Sequence, residues 1–124
     1  MPLAYLLDEH LRGGGLWHAI LRHNALSPYP IDTHRVGDPL DLPLGSLDPD
    51  ILIWVEREGR VLLTEDVSSM PGHLANHLAA GRHSPGIFLL RSGIALPDMV
   101  AELVLHAYAG DPAVYRDQAQ FFPW

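Results

Sequence analysis

The chain has 124 residues, 48 % hydrophobic and 19 % charged, which is the balance of a globular domain able to bury a core without staples. It has no cysteine and no lysine, and fifteen acids against eight arginines leave a formal net charge of −7. That excludes disulfides, thiolate chemistry and Cys-type zinc sites, and it argues against a general phosphate-binding surface. No apolar run approaches the roughly 18 residues of a membrane span. The start of the chain meets Asp8-Glu9 without a basic segment, so the expectation is a cytoplasmic protein with no signal peptide and no membrane partner.

In chain order, Leu3-Ala4-Tyr5-Leu6-Leu7 is an apolar run ending in two acids, and it predicts a buried first strand with carboxylates at its carboxyl tip. Gly13-Gly14-Gly15 is a turn without the GxGxxG spacing or the Gly-Lys-Ser/Thr ending of a phosphate loop. Leu16, Ile20 and Leu21 predict a helix over 15–24, ended at Asn24. After the break at Ser27-Pro28-Tyr29-Pro30, alternation over 31–36 predicts a second strand. Residues 37–47 are a Pro/Gly-rich loop, long enough in a compact domain to be functional or mobile. Asp48 suits an N-cap, Pro49 the first helical position and Asp50 the first turn of a helix that buries Ile51, Leu52 and Val55 and stops at Gly59. Arg60 to Thr64 predicts a third, fully buried strand with Glu65-Asp66 at its tip.

A loop over 67–72, a helix over 73–80, a strand over 87–90 with Arg91 at its tip and a helix over 96–109 complete the regular pattern. The ending Phe121-Phe122-Pro123-Trp124 is too aromatic for a solvated tail and is expected to pack on its own domain or on a second subunit. Strand and helix alternate throughout. The expectation is one α/β domain over 1–124, with a core over 4–109, a tail over 110–124 and a mainly parallel sheet of four or five strands flanked by helices.

In a parallel sheet the carboxyl tips of the first and third strands share an edge, so Asp8-Glu9 and Glu65-Asp66 meet if those strands are neighbours. Asp48 or Asp50 joins them if the loop 37–47 climbs back to that edge. Three carboxylates without basic partners repel one another, and a hard divalent cation such as Mg²⁺ or Mn²⁺ would hold them, activate water and clamp a phosphodiester. Ordinary structural uses compete: Asp48 as a cap, Asp50 against the helix dipole, Asp8 capping the glycine turn.

Four pieces together resemble the DUF5615 family of PIN-like proteins, trimmed relatives of PIN-domain ribonucleases. They are Leu6-Leu7-Asp8-Glu9-His10-Leu11, Asp48-Pro49-Asp50-Ile51-Leu52, Glu58-Gly59-Arg60-Val61-Leu62-Leu63-Thr64-Glu65-Asp66 and Pro85-Gly86-Ile87-Phe88-Leu89-Leu90-Arg91. The resemblance implies a PIN-like three-layer fold. It also implies a metal-dependent nuclease that cuts single-stranded RNA and is related to toxin–antitoxin pairs, with a small antitoxin-like partner. It assigns Asp8, Asp48 and Asp66 to Mg²⁺ or Mn²⁺ and to catalysis, with Asp50 as second choice to Asp48. Thr64 is the threonine of the family's Thr-x-Asp motif, and Glu9, Asp50 and Arg91 are supporting residues. Ser68 stands where the family often carries a further Asp. The alternative is a catalytically inactive binding or adaptor module acting as a homodimer.

His73 and His77 have the i, i+4 spacing of paired zinc ligands, but Leu74 stands where HExxH needs Glu, so they read as surface or capping residues. Arg12 and Arg82, like Arg91, either reach phosphates or pair with surplus acids. Trp17 and Trp54 read as core.

Overall fold

The computed structural model describes residues 2–123. Five strands, β1 (Ala4–Leu7), β2 (Thr33–Arg35), β3 (Arg60–Thr64), β4 (Ile87–Leu90) and β5 (Ala119–Phe122), form one sheet in the order β2-β1-β3-β4-β5. Every pairing is parallel. The helices are α1 (Leu16–Leu26), α2 (Asp48–Glu58), α3 (Met70–Ala79), α4 (Leu96–Ala109) and the short α5 (Pro112–Tyr115). The α/β class expected from alternation is therefore the observed one, and its helix–sheet–helix layering is consistent with a PIN-like arrangement.

The layers follow from the period of two along a strand. Tyr5, Leu7, Val61, Leu63, Phe88 and Leu90 share one core with Leu16 and Ile20 of α1 and Met99, Val100 and Leu103 of α4. Leu6, Leu62, Ile87 and Leu89 point the other way, into a second core with Ile51, Leu52 and Val55 of α2 and Leu74 of α3. All five residues of β3 are buried, which is why that run has no polar face in the sequence.

Several boundaries differ from expectation for local reasons. α1 runs on to Leu26, because the Asn24 side chain donates to the Ile31 carbonyl and accepts from the Ile31 amide (2.9 Å each) instead of ending the helix. α2 begins at Asp48 itself, with Leu47 as its N-cap and no side-chain cap, so Asp48 is not the cap. Gly59 does close α2 in the left-handed conformation (φ 69°), where a Cβ is disfavoured. α3 starts three residues before the expected position, at Met70, with Pro71 in its first turn.

The tail over 110–124, expected to pack on its own domain or on a second subunit, supplies the fifth strand of this sheet. Phe122 is fully buried and stacked on Phe88 with ring centroids 4.5 Å apart, so its aromatic character is explained within this chain. Trp124 lies outside the described residues. Between α4 and β5, Gly110 passes so close to Tyr115 that an added Cβ would collide with the Tyr115 hydroxyl oxygen.

The loop 37–47 is fastened at both ends. Arg12 Nη1 donates to the Val36 carbonyl and to Asp38 Oδ1 (both 2.9 Å), and Arg35 Nε donates to Asp38 Oδ2 (2.7 Å). Further along, Glu9 accepts from the Gly45 amide (2.6 Å), and Asp41 accepts from Trp54 Nε1 (3.0 Å) and from Arg57. The Arg35 guanidinium, with help from Arg12, holds the Asp38 carboxyl below the usual aspartate range.

Truncating Phe122 to Ala empties a fully buried site and is expected to cost about 3–5 kcal/mol in a urea melt. A depressed carboxyl favours the folded state above its unfolded value near ~3.9 and loses that contribution as pH falls through the folded value. Asp38→Asn should therefore be less stable than the parent at pH 7 by up to about 1 kcal/mol. The gap should close below pH ~4, and thermal melts from pH 3 to 7 would read it.

Candidate acidic site at the β1–β3 edge

The sheet changes its direction of growth between β1 and β3. The chain leaves β1 toward α1 on one face and leaves β3 toward α3 on the other. A crevice at the carboxyl ends of such strands is where open α/β sheets place ligands. β1 and β3 are direct neighbours, with Leu7 opposite Leu63 in register. Asp8 and Thr64, the next positions along, therefore meet at the tip.

Asp8 is buried, and a buried carboxylate has to be hydrogen-bonded. Oδ2 accepts from the Thr64 hydroxyl (2.8 Å), and Oδ1 accepts from the Glu9 amide (2.8 Å) at the head of a 3₁₀ turn over Glu9–Gly13. The Thr64 oxygen in turn accepts from the Asp66 amide (3.1 Å). One buried hydroxyl thus ties the tip of β1 to the residue that leaves β3. His10 adds a second link: its Nε2 accepts from the Glu65 amide (3.1 Å), and its Nδ1 lies 3.6 Å from Asp8 Oδ2. With Nε2 acting as acceptor, the proton of the neutral ring sits on Nδ1, the side facing Asp8.

Asp48 reaches this edge from the first turn of α2. Its carboxyl is raised above the usual aspartate value, first by burial and then by the Asp8 carboxylate, with Asp66 adding a smaller push. His73, whose Nε2 is 3.4 Å from Asp48 Oδ2, works against that rise, and so does His10. The Asp48 carboxyl therefore senses the charge of both Asp8 and Asp66 across the crevice. Asp66 is held below the usual range, chiefly by the hydroxyl and amide of Ser69 and then by Ser68.

The supporting residues separate. Glu9 faces the 37–47 loop. Asp50 is exposed in the first turn of α2 and does not enter the charge set around Asp48. Arg91 donates through Nε to the Pro123 carbonyl (2.8 Å) and lies over the Phe121 ring, on the side of β3 away from the acids. Arg12 and Arg82 pair with Asp38 and Glu56. His77 is buried against Glu56 Oε1 (3.2 Å) and the His83 carbonyl (2.9 Å), which corrects its reading as a surface or capping residue. His73, His10 and Ser69 were not assigned to the site from sequence. The two histidines carried faint signals, an i, i+4 pair and an Asp-Glu-His tip, but neither spacing names an aspartate as partner.

In kind, these donors are hard oxygens, which suit a divalent cation such as Mg²⁺ or Mn²⁺. As placed, Asp66 commits both oxygens to Ser68 and Ser69. Among the described residues no three His, Asp or Glu side chains are grouped closely enough to hold a metal ion.

Thr64→Val keeps the shape of the side chain but leaves Asp8 Oδ2 and the Asp66 amide each short of a partner. The expected loss is about 1–3 kcal/mol of folding stability by denaturant titration, largely restored in Thr64→Ser. No family model, curated protein or solved structure matches the chain.

Proposed function

We propose that the chain is a PIN-like, metal-dependent ribonuclease acting in the bacterial cytoplasm on single-stranded RNA, with a small antitoxin-like protein as its partner. The observation that carries this reading is geometric: Thr64 ties Asp8 to Asp66 at the β1–β3 switch point, and Asp48 reaches the same crevice from α2, where burial and the two other carboxylates push its own carboxyl up. Like charges placed together at that cost are relieved by a cation. Asp8, Asp48 and Asp66 would close on Mg²⁺ or Mn²⁺ as it binds, with Asp66 giving up hydrogen bonds from Ser68 and Ser69 to do so. The cation, when bound, supplies charge neutralisation at a phosphodiester and lowers the pKa of water. Thr64 and His10 keep Asp8 in place, and His73 keeps Asp48 in place. Beside these acids, the two imidazoles are also partners that bring no further negative charge against an approaching phosphate.

Calorimetric titration of Mn²⁺ and Mg²⁺ together with an RNA cleavage assay tests the proposal. Binding and metal-dependent cleavage are expected. Asp48→Asn is expected to weaken metal binding by roughly tenfold or more. Cleavage undiminished in Asp66→Asn would reject the assignment.

A second reading, a non-catalytic adaptor acting as a homodimer, is favoured by one observation: Asp66 already has its oxygens engaged by Ser68 and Ser69. The surface open to a second copy is a groove of about 840 Å³ between α1 and α4, with Val100 and Val104 on its floor. Arg22 at its rim has no acid partner among the described residues, and a second copy of this acid-rich chain offers one. This reading expects a dimer in light scattering that Ala101→Arg dissociates, and no metal-dependent cleavage. A monomer at all concentrations would exclude it.

A further inference from the structure

A cavity of about 230 Å³ opens on the other side of the β3 tip, between the first turns of α1 and α4. Its walls include Leu11, Leu90 and Met99, all buried, and Ile94. Two charged side chains, Glu65 and Arg91, also line it. Strand alternation explains the placement: Val61 and Leu63 face the α1–α4 core and Glu65 continues that series, whereas Thr64 and Asp66 belong to the acidic crevice.

Glu65 donates its amide to His10, but its carboxylate has no hydrogen bond or ion pair among the described residues. Arg91 uses Nε on the Pro123 carbonyl and has no acid partner among the described residues, although Glu65 lines the same cavity. An acceptor-only carboxylate and a guanidinium, the latter lying over the Phe121 ring with no acid beside it, thus border one apolar space without pairing with each other. The volume lies below the ~300 Å³ at which pockets for whole drug-sized ligands begin, so it suits a single ring system. Nucleobases are flat rings of this size that carry a donor and an acceptor on one edge. Single-stranded RNA is read by splaying such bases into pockets and hydrogen-bonding their pairing edges.

We infer that this cavity is a base-recognition pocket of the chain, in which Glu65 accepts a hydrogen bond from the exocyclic amino group of cytosine or a purine and Arg91 donates to a ring acceptor. This rests on the RNA-cleaving reading above and deepens it. A strand crossing the β3 tip puts one base in the cavity while its phosphodiester lies over Asp8, Asp48 and Asp66. Uracil is the one base with no exocyclic amino group: it offers the carboxylate a single ring N–H between two carbonyl oxygens, which the carboxylate repels.

The probes are free nucleosides, which carry no phosphate and need no metal. Cytidine, adenosine, guanosine and uridine are titrated into the full ¹⁵N-labelled chain, and amide shifts are followed at Gly14, Gly15 and residues 92–94. At least one amino-bearing nucleoside should bind about tenfold more tightly than uridine. Glu65→Ala, at an exposed position, should level the four, and Ile94→Trp should weaken all of them. Uridine binding as well as the others in the parent chain, shifts confined to other surfaces, or discrimination that persists in Glu65→Ala would each overturn the inference. Nucleoside binding without RNA cleavage strikes the ribonuclease reading and leaves the pocket standing. Metal-dependent cleavage with no nucleoside shifts does the reverse.

Discussion

A carboxylate buried at the end of a strand must find donors, and Asp8 finds them in Thr64 and the Glu9 amide. Much of the functional end of the molecule depends on that requirement. The Thr64 hydroxyl can reach Asp8 because β1 and β3 pair in register, and the same oxygen then takes the Asp66 amide. The first residue after β1 and the second after β3 are thereby held at fixed distance. A valine in place of Thr64 would fill the same volume and break this link, since shape alone does not satisfy a buried charge.

Around that link the charges are sorted. Asp32 pairs with the buried Arg60, Asp38 with Arg12 and Arg35, and Asp41 with Arg57. Six of the eight arginines thus lie beside acids at the amino-terminal edge, the 37–47 loop and the Glu56–Asp117 region. None of them pairs with Asp8, Asp48 or Asp66. Among the described residues, the basic groups beside those acids are imidazoles, His10 at Asp8 and His73 at Asp48. The arginines are therefore not spread evenly: Asp32, Asp38, Asp41, Glu56 and Asp117 each lie beside one, and the three acids of the crevice do not.

Elements with a strong local pattern were legible in the sequence. The helix over 96–109 matched to the residue, because its apolar stripe is long and Pro97 and Gly110 punctuate it. β3 and β4 matched because a short β-branched or apolar run bounded by glycine has few alternatives. β5 escaped notice because Ala119-Gln120-Phe121-Phe122 is too short to show alternation and owes its strand to pairing with β4. The start of α3 was misplaced because Pro71 reads as a breaker, whereas in the first turn of a helix its missing N–H costs nothing. In the site, Thr64, Asp8 and Asp66 stood out as motif positions. Ser68 stood out only as the place of a missing acid, and the fold gives it and Ser69 a task of their own as donors to Asp66.

The amino-acid sequence by itself determined the alternation of strands and helices, the doubly buried centre of the sheet and the acids at its strand ends, because these follow from side-chain periodicity and local turn chemistry. Tertiary structure alone decided that β1 lies beside β3, that His73 reaches Asp48 and not a zinc ligand set with His77, and that Glu65 and Asp66 open onto opposite sides of one strand tip. Those outcomes depend on which distant segments pack together. The free energy that selects them comes from burying Leu6, Leu62, Phe88 and their neighbours, residues that carry no information about the charges they bring into contact.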